Sequence, residues 1–262
     1  TCEINYLTVT NNSAFKKSLQ LYGAVEWCLW NAADDAENFQ RNLSIGEVEV
    51  AGSTVYHKTG YRERRNHYSF YGVNSLTDGF DSDRDTFLGR FGSWEKPAMV
   101  LSGSSGNSLA DGWSPIASHR IDFILEPGEK RTIIFILGYA ENPHDQKWES
   151  KGVINKSRAN EVIGQYSTDL SVKDALNALH NYWDKLLSNF YLTSPDDKLN
   201  RMVNIWNQYQ CMVTFNLSRS ASYYESGTGR GMGFRDSCQD IFGIVHLIPE
   251  RTRERILDLA AI

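Results

Sequence analysis

An α+β chain, with an antiparallel β-sandwich first and a helical part after it, is the fold class that three patterns predict. Leu19, Leu21, Gly23, Val25, Trp27 and Leu29 alternate with Gln20, Tyr22, Ala24, Glu26 and Cys28, and a period of two marks a half-buried strand. Glu126-Pro127-Gly128-Glu129 separates two apolar runs, 120–125 and 131–138, and Pro-Gly in that setting is a turn signal. From Ala175 the period changes. Ala175, Leu176, Leu179, Tyr182, Trp183, Leu186 and Leu187 recur at three and four residues, the spacing of an amphipathic helix.

The chain from Thr1 opens on a strand-like stretch, and 47–50, 54–57, 67–73 and 98–101 read as further short strands. Many short strands with turns between them, up to about Glu141, indicate a sandwich. Two loops interrupt them: 31–42 (NAADDAENFQRN), acidic and amide-rich, and 61–67 (YRERRNH), with three arginines. Charge runs of this kind usually face water, although loops on a rigid sheet are also where binding residues collect. Asp81-Ser82-Asp83-Arg84-Asp85 looks like the opening of a calcium loop, but Thr86 stands where glycine is needed and Gly92 where Glu is needed. It reads as a solvated turn. Residues 143–156 read as a polar connector. Ser194-Pro195-Asp196-Asp197 reads as a helix start with Ser as the cap. The helix would carry Leu199, Met202, Val203, Trp206, Tyr209 and Met212 on one face. Pro249-Glu250 opens another, with Ile256, Leu257 and Ala260 on its inner side. Helices are expected to dominate 158–262.

Composition narrows the function. With 262 residues and 41% hydrophobic content the chain can bury a sizeable core, and a net charge of −5 argues against a general nucleic-acid binder. Cys2, Cys28, Cys211 and Cys238 are scattered, with no C-x-x-C, which fits a reducing compartment and a cytoplasmic protein. No apolar run approaches the roughly 18 residues of a membrane span, and nothing at the start resembles a signal peptide. Six dispersed histidines and no H-E-x-x-H give no sign of a zinc hydrolase or other metal site. The chain begins without Met and stops inside an apparent helix at Ile262, so it is read as a piece of a longer protein.

The chemistry concentrates in 218–240, SRSASYYESGTGRGMGFRDSCQD. Arg219, Arg230 and Arg235 lie among Glu225, Asp236 and Asp240, and Gly227, Gly229, Gly231 and Gly233 fall at every second position. Four glycines in seven residues cost a helix roughly 1 kcal/mol each and leave a strand little to pack. They suit a loop that bends sharply or passes close to a ligand. Neither G-x-G-x-x-G nor Gly-Lys-Ser/Thr is present, so a nucleotide site is weakly supported. Arg235 and Asp236 could form a structural ion pair, but three arginines on one glycine-rich loop favour a site for an anionic, hydroxyl-rich ligand.

The same residues carry a family resemblance. Residues 218–227 and 229–237 resemble the start of the catalytic domain of cellobiose phosphorylases, as do 200–211 and Pro249-Glu250-Arg251. The likeness continues in 28–32, 38–42 and 61–67. The resemblance implies an N-terminal sandwich over 1–141 lacking its first strands, a helical linker over 142–195, and over 196–262 the beginning of an (α/α)6 barrel. It implies a homodimer, no cofactor, and inorganic phosphate as co-substrate beside a β-linked disaccharide. Thr228 and Cys238 depart from the Ile and Asn expected in many members, which bears on acceptor preference.

The implied reaction is inverting phosphorolysis, giving an α-sugar 1-phosphate and a free sugar. Inverting hydrolysis needs a base carboxylate to activate water. Phosphate is already a nucleophilic anion, so a cationic pocket can replace the base, and arginine offers paired donors that match phosphate oxygens. By motif position Arg219 resembles the phosphate-contacting arginine, while Arg230 and Asp236 resemble the pair that holds the glycosyl hydroxyls. Gln40 and Arg41 resemble a sandwich contribution to the acceptor side. The general acid of the family is an Asp downstream of Ile262, so residues 1–262 alone are expected to be inactive. Alternatives are a phosphorylase of cellodextrin, laminaribiose or chitobiose, and a non-catalytic carbohydrate-binding sandwich, against which the arginine loop speaks.

Overall fold

The computed structural model of the protein describes residues 2–27, 46–59, 66–110, 112, 114–217 and 233–261. They belong to two compact units, Thr1–Asp174 and Ala175–Ile262.

In the first unit β1 (Cys2–Thr10), β8 (Lys130–Glu141), β5 (His67–Val73), β4 (Thr54–Thr59) and β3 (Gly46–Ala51) form a five-stranded sheet in that order. β2 (Lys17–Glu26), β7 (Pro115–Leu125) and β6 (Gly79–Asp83) form a three-stranded sheet. All pairings are antiparallel, as the short strands and turns predict. Between the sheets lie Val55, Tyr71, Val73, Ile133 and Phe135 from one and Ala117, Ile121, Phe123 and Leu125 from the other, with Trp27. Leu19, Leu21 and Val25 pack on this core, so the alternation in β2 marks its inner row.

The outer faces are covered too. Tyr56, Tyr68, Phe70, Ile134 and Ile136 meet Ile154, Ala159 and Val172. These last belong to the hairpin of β9 (Trp148–Ser150) and β10 (Val153–Ile154), to α3 (Ser157–Gln165) and to α4 (Asp169–Leu187). Tyr6 at the edge donates to Asp169. Burial on both faces accounts for the unbroken apolar run Ile133–Ile136. Gly138 admits no side chain, because a Cβ there would fall within the Phe70 ring. On the three-stranded sheet Tyr22, Ala24 and Ile116 pack with Phe87, Leu88 and Met99, from α1 (Arg84–Leu88) and α2 (Ala98–Ser102).

The Pro127-Gly128 turn does not close a hairpin, since β7 and β8 lie in different sheets. It carries the chain across the core. Gly128 takes φ 77° and donates to Asn11 O at 2.8 Å, while Asn11 N donates to Glu129 O at 3.0 Å. The buried Asn11 amide donates to Leu125 O as well, at 2.9 Å.

Three readings of the first unit need correction. Residues 98–101 are helical, not extended: Pro97 precedes α2 in extended geometry and Gly103, at φ 64°, ends it. These flanking residues override a short apolar run. Asp81-Ser82-Asp83 is not a solvated turn. Asp81 is 1% exposed and accepts from Gly106 N at 3.0 Å and from Ser108 N and Oγ at 3.2 and 2.8 Å. Asp83 caps α1 through Thr86 N at 2.7 Å. The connector 143–156 contains the β9–β10 hairpin, and ions fasten it. Lys58 Nζ lies 2.8 Å from Glu49, 3.0 Å from Glu47 and 2.7 Å from Gly152 O. Lys156 Nζ lies 2.5 Å from Glu49, which also accepts from Ile154 N at 2.9 Å. Further corrections concern the helices that follow.

In the second unit α5 (Asp197–Arg201), a π-helix (Met202–Asn207) and α6 (Gln208–Leu217) run on from one another, followed by α7 (Phe234–Phe242) and α8 (Pro249–Ala260). Leu186 near the end of α4 joins Met212, Phe215, Ile241, Ile244, Leu247 and Leu259 in one core. The cap of α5 is Asp196, which accepts from Lys198 N and Leu199 N, rather than Ser194. In α8 the inward stripe is Thr252 and Leu259, with Ile256 and Leu257 half-exposed. Thr252 can turn inward because its hydroxyl bonds Ile248 O at 3.0 Å, and Arg255 lies over the Phe215 ring at 4.8 Å. Of the row predicted along α5–α6, Met212 is buried, while Leu199, Met202, Trp206 and Tyr209 are 42–52% exposed. Among the described residues no helix is long and apolar enough to cross a membrane.

Candidate functional site

Asp236 is the one predicted site residue within the described structure. Arg219, Arg230, Gln40 and Arg41 lie outside the described residues, as do Thr228 and the loops 31–42 and 61–65. Gly233 is the N-cap of α7, extended at φ −71°, ψ 131°. The first helical bond runs from Ser237 N to Gly233 O at 2.9 Å. Asp236 therefore occupies the third position of the helix, where the exposed N–H groups and the positive end of the helix dipole favour a carboxylate.

The carboxylate folds back over the cap. A Cβ placed on Gly233 would lie 3.2 Å from Asp236 Oδ2, which shows how near the carboxylate comes to the cap. Arg235 Nε stands 3.8 Å from Asp236 Oδ1, with the Arg235 side chain 87% exposed and that of Asp236 27% exposed. At that distance and exposure the pair is a weak one. Asp236 places a carboxylate in the first turn of α7, an acceptor of the kind that suits hydrogen bonding from sugar hydroxyls.

The support beneath it is apolar. Ile241 of α7 packs with Met212 and Phe215 of α6, and Cys211 and Cys238 border that core. Gly243 comes so near Cys211 that a Cβ would meet its Sγ at 2.9 Å. Cys2, Cys211 and Cys238 carry free thiols. Among the described residues no group of three or more His, Cys, Asp or Glu is placed to hold a metal ion.

A row of amides went unread in the sequence. Asn200 accepts from Ser194 N at 2.8 Å and donates to Ser194 O at 2.9 Å. Asn204 does the same with Leu192, at 2.8 Å each way. Gln208 donates to Phe190 O at 2.9 Å. The signal was the spacing of four between amides, which by itself does not differ from a solvated helix face.

In the sandwich, Trp27, His57 and His67 are buried. His67 Nδ1 lies 3.2 Å from the Tyr139 hydroxyl, and Asn66 donates to Asn142 O at 2.7 Å.

Comparison with known proteins matches both parts. The family model for the glycosyl hydrolase 94 supersandwich domain covers residues 1–169, and that for the catalytic domain of the glycosyl hydrolase 94 superfamily covers 182–262. An N,N'-diacetylchitobiose phosphorylase of Vibrio furnissii is 30% identical over 96% of this chain and 30% of its own length. The enzyme of the same name from Vibrio proteolyticus is 29% identical over 98% of this chain and 30% of its length. The cyclic beta-(1,2)-glucan synthase NdvB of Rhizobium meliloti (strain 1021) is 29% identical over 97% of this chain and 8% of its length. The chain thus spans about a third or less of these relatives.

Proposed function

The chain belongs to the glycosyl hydrolase 94 family, and on that premise we propose that the protein carrying it performs inverting phosphorolysis of a β-linked disaccharide. The observation that carries this reading is Asp236, oriented at the start of α7 directly after the glycine- and arginine-rich stretch. Phosphate, held by Arg219, attacks the anomeric carbon from the face opposite the leaving sugar. Arg230 and Asp236 hold the glycosyl hydroxyls, and Gln40 and Arg41 serve the acceptor side within a homodimer. The leaving oxygen takes its proton from an Asp outside residues 1–262. Inversion at carbon 1 turns the β-link into an α-phosphate ester, with no water consumed.

Cellobiose and N,N'-diacetylchitobiose are the first substrates to test, the second because two relatives bear its name. A second reading is glucan assembly, supported by the name of the Rhizobium relative. The protein incubated with each disaccharide, with and without phosphate, decides. Phosphate-dependent release of an α-sugar 1-phosphate is expected. Equal cleavage without phosphate would make it a hydrolase, and chain growth without phosphate would favour the second reading.

A further inference from the structure

Asn200, Asn204 and Gln208 face residues 194, 192 and 190 in steps that match. Four helical residues advance about 6 Å, and two extended residues about 6.7 Å. A straight α-helix would spoil the fit, because every fourth residue drifts about 40° around the axis. The π-helix Met202–Asn207 lies in the middle of the row. Its wider winding turns fewer degrees per residue and brings the row back into line. Wider winding also interrupts the usual carbonyl pairing, and Gln208 Nε2 supplies a donor there, to Asn204 O at 2.9 Å. Asn204 and Gln208 are both at least nine-tenths buried, so their bonds are made away from water, where leaving one unmade is expensive.

We propose that this amide row is a positioning device for Asp236. It fixes the axial position and rotation of α6 against the segment 190–194, whose alternate residues it bonds. α6 in turn holds α7 through Met212 and Phe215 on Ile241, and through the close approach of Cys211 to Gly243. α7 carries Asp236 in its first turn. Close packing leaves little room to absorb a slide of α6, so a lost rung is passed to the helix that aims the carboxylate. Asn200, Asn204 and Gln208 touch no substrate in this account. The proposal rests on the phosphorolysis reading above for its kinetic test, though not for its structural one.

The test is a double-mutant cycle in the full-length protein, with Asn204→Leu and Asp236→Asn. Asn204→Leu removes both bonds to Leu192 at similar volume. It should lower kcat/KM for the disaccharide on the order of tenfold, since a 1 Å misplacement can cost up to about a hundredfold. In the Asp236→Asn background the same change should cost no more than about twofold, because coupled residues are not additive. Amide exchange at Ser237, whose N–H makes the first bond of α7, should quicken in Asn204→Leu. Full multiplicative losses, or unchanged kinetics and Ser237 exchange in a folded Asn204→Leu protein, would overturn the proposal. If Asn204→Leu does not fold, Asn204→Asp keeps the acceptor for Leu192 N and should show the same pattern more weakly; its absence counts equally against the proposal. Wild-type protein that performs no phosphorolysis would sink the functional reading alone, and Ser237 exchange would then decide the positioning role.

Discussion

The Trp27 indole lies parallel to the His57 imidazole, with 5.5 Å between ring centroids and 9° between planes. Burial above all, and the neighbouring His67 next, push His57 down to about 3. Burial also takes His119 down to about 4, against the opposing effect of its bond to the Tyr71 carbonyl. Both rings sit in or beside the sandwich core and are held neutral. In the unfolded chain an imidazole titrates near 6.5, so the unfolded state binds more protons from there down to the folded values. Stability from these rings is complete above pH 6.5 and lost as pH falls, at up to about 1.4 kcal/mol per pH unit for each. The urea midpoint for sandwich unfolding should fall steeply between pH 6 and pH 4. His57→Phe should make that slope shallower, and an unchanged slope would show that His57 is not the titrating ring.

Glu49 sits between Lys58 and Lys156 on the outer face of the five-stranded sheet. Burial alone would raise its carboxyl, but the bonds from Lys156, Lys58 and Ile154 N outweigh that and leave it below the usual value. The ionised form is therefore the stabilising one. Its contribution is present above the ordinary carboxylate range and lost as pH falls through the folded value. Glu49→Gln should destabilise the first unit by about 3 kcal/mol, the scale of a buried pair broken from one side. Denaturant unfolding of the variant at pH 7 checks this, and a loss below about 0.5 kcal/mol would place the cluster among ordinary surface pairs.

The sandwich was legible where one face of a strand is apolar, as in β2, whose inner residues Leu19, Leu21 and Val25 were named from alternation alone. Sheet membership was not. The Pro127-Gly128 turn has the same local chemistry whether it closes a hairpin or crosses between sheets, and only the pairing of β7 with β2 and of β8 with β1 distinguishes them. Asp81 was misread because a buried carboxylate depends on donors 25–27 residues away at Gly106 and Ser108. Ile256 and Leu257 were placed inside by hydrophobicity, yet Thr252 and Leu259 took the inner stripe once a local bond satisfied the Thr252 hydroxyl. Asp236 stands out in the sequence as a candidate because it ends a run of glycines and arginines that no regular element would choose. The amide row does not, because its partners are backbone groups of residues 190, 192 and 194 and leave no mark in composition.

Asp236 and Arg219 should divide the reaction between them. In the full-length protein Asp236→Asn keeps shape but loses charge and one acceptor site. A charged acceptor is worth about 1.5–3 kcal/mol, and each 1.36 kcal/mol is tenfold. A fall in kcat/KM on the order of tenfold to a few hundredfold is expected, with the loss in kcat rather than in ground-state binding. On the proposed reading, Arg219→Ala removes a phosphate partner instead. The KM for phosphate should rise while the disaccharide KM stays near that of the wild type, and arsenate, which presents the same oxygens, should be affected in parallel. Steady-state kinetics with each substrate varied separately distinguish the two roles. A rise confined to the disaccharide KM in Arg219→Ala would move Arg219 to the sugar side, and the anionic co-substrate would then need another cation of the same stretch, Arg230 or Arg235, to hold it.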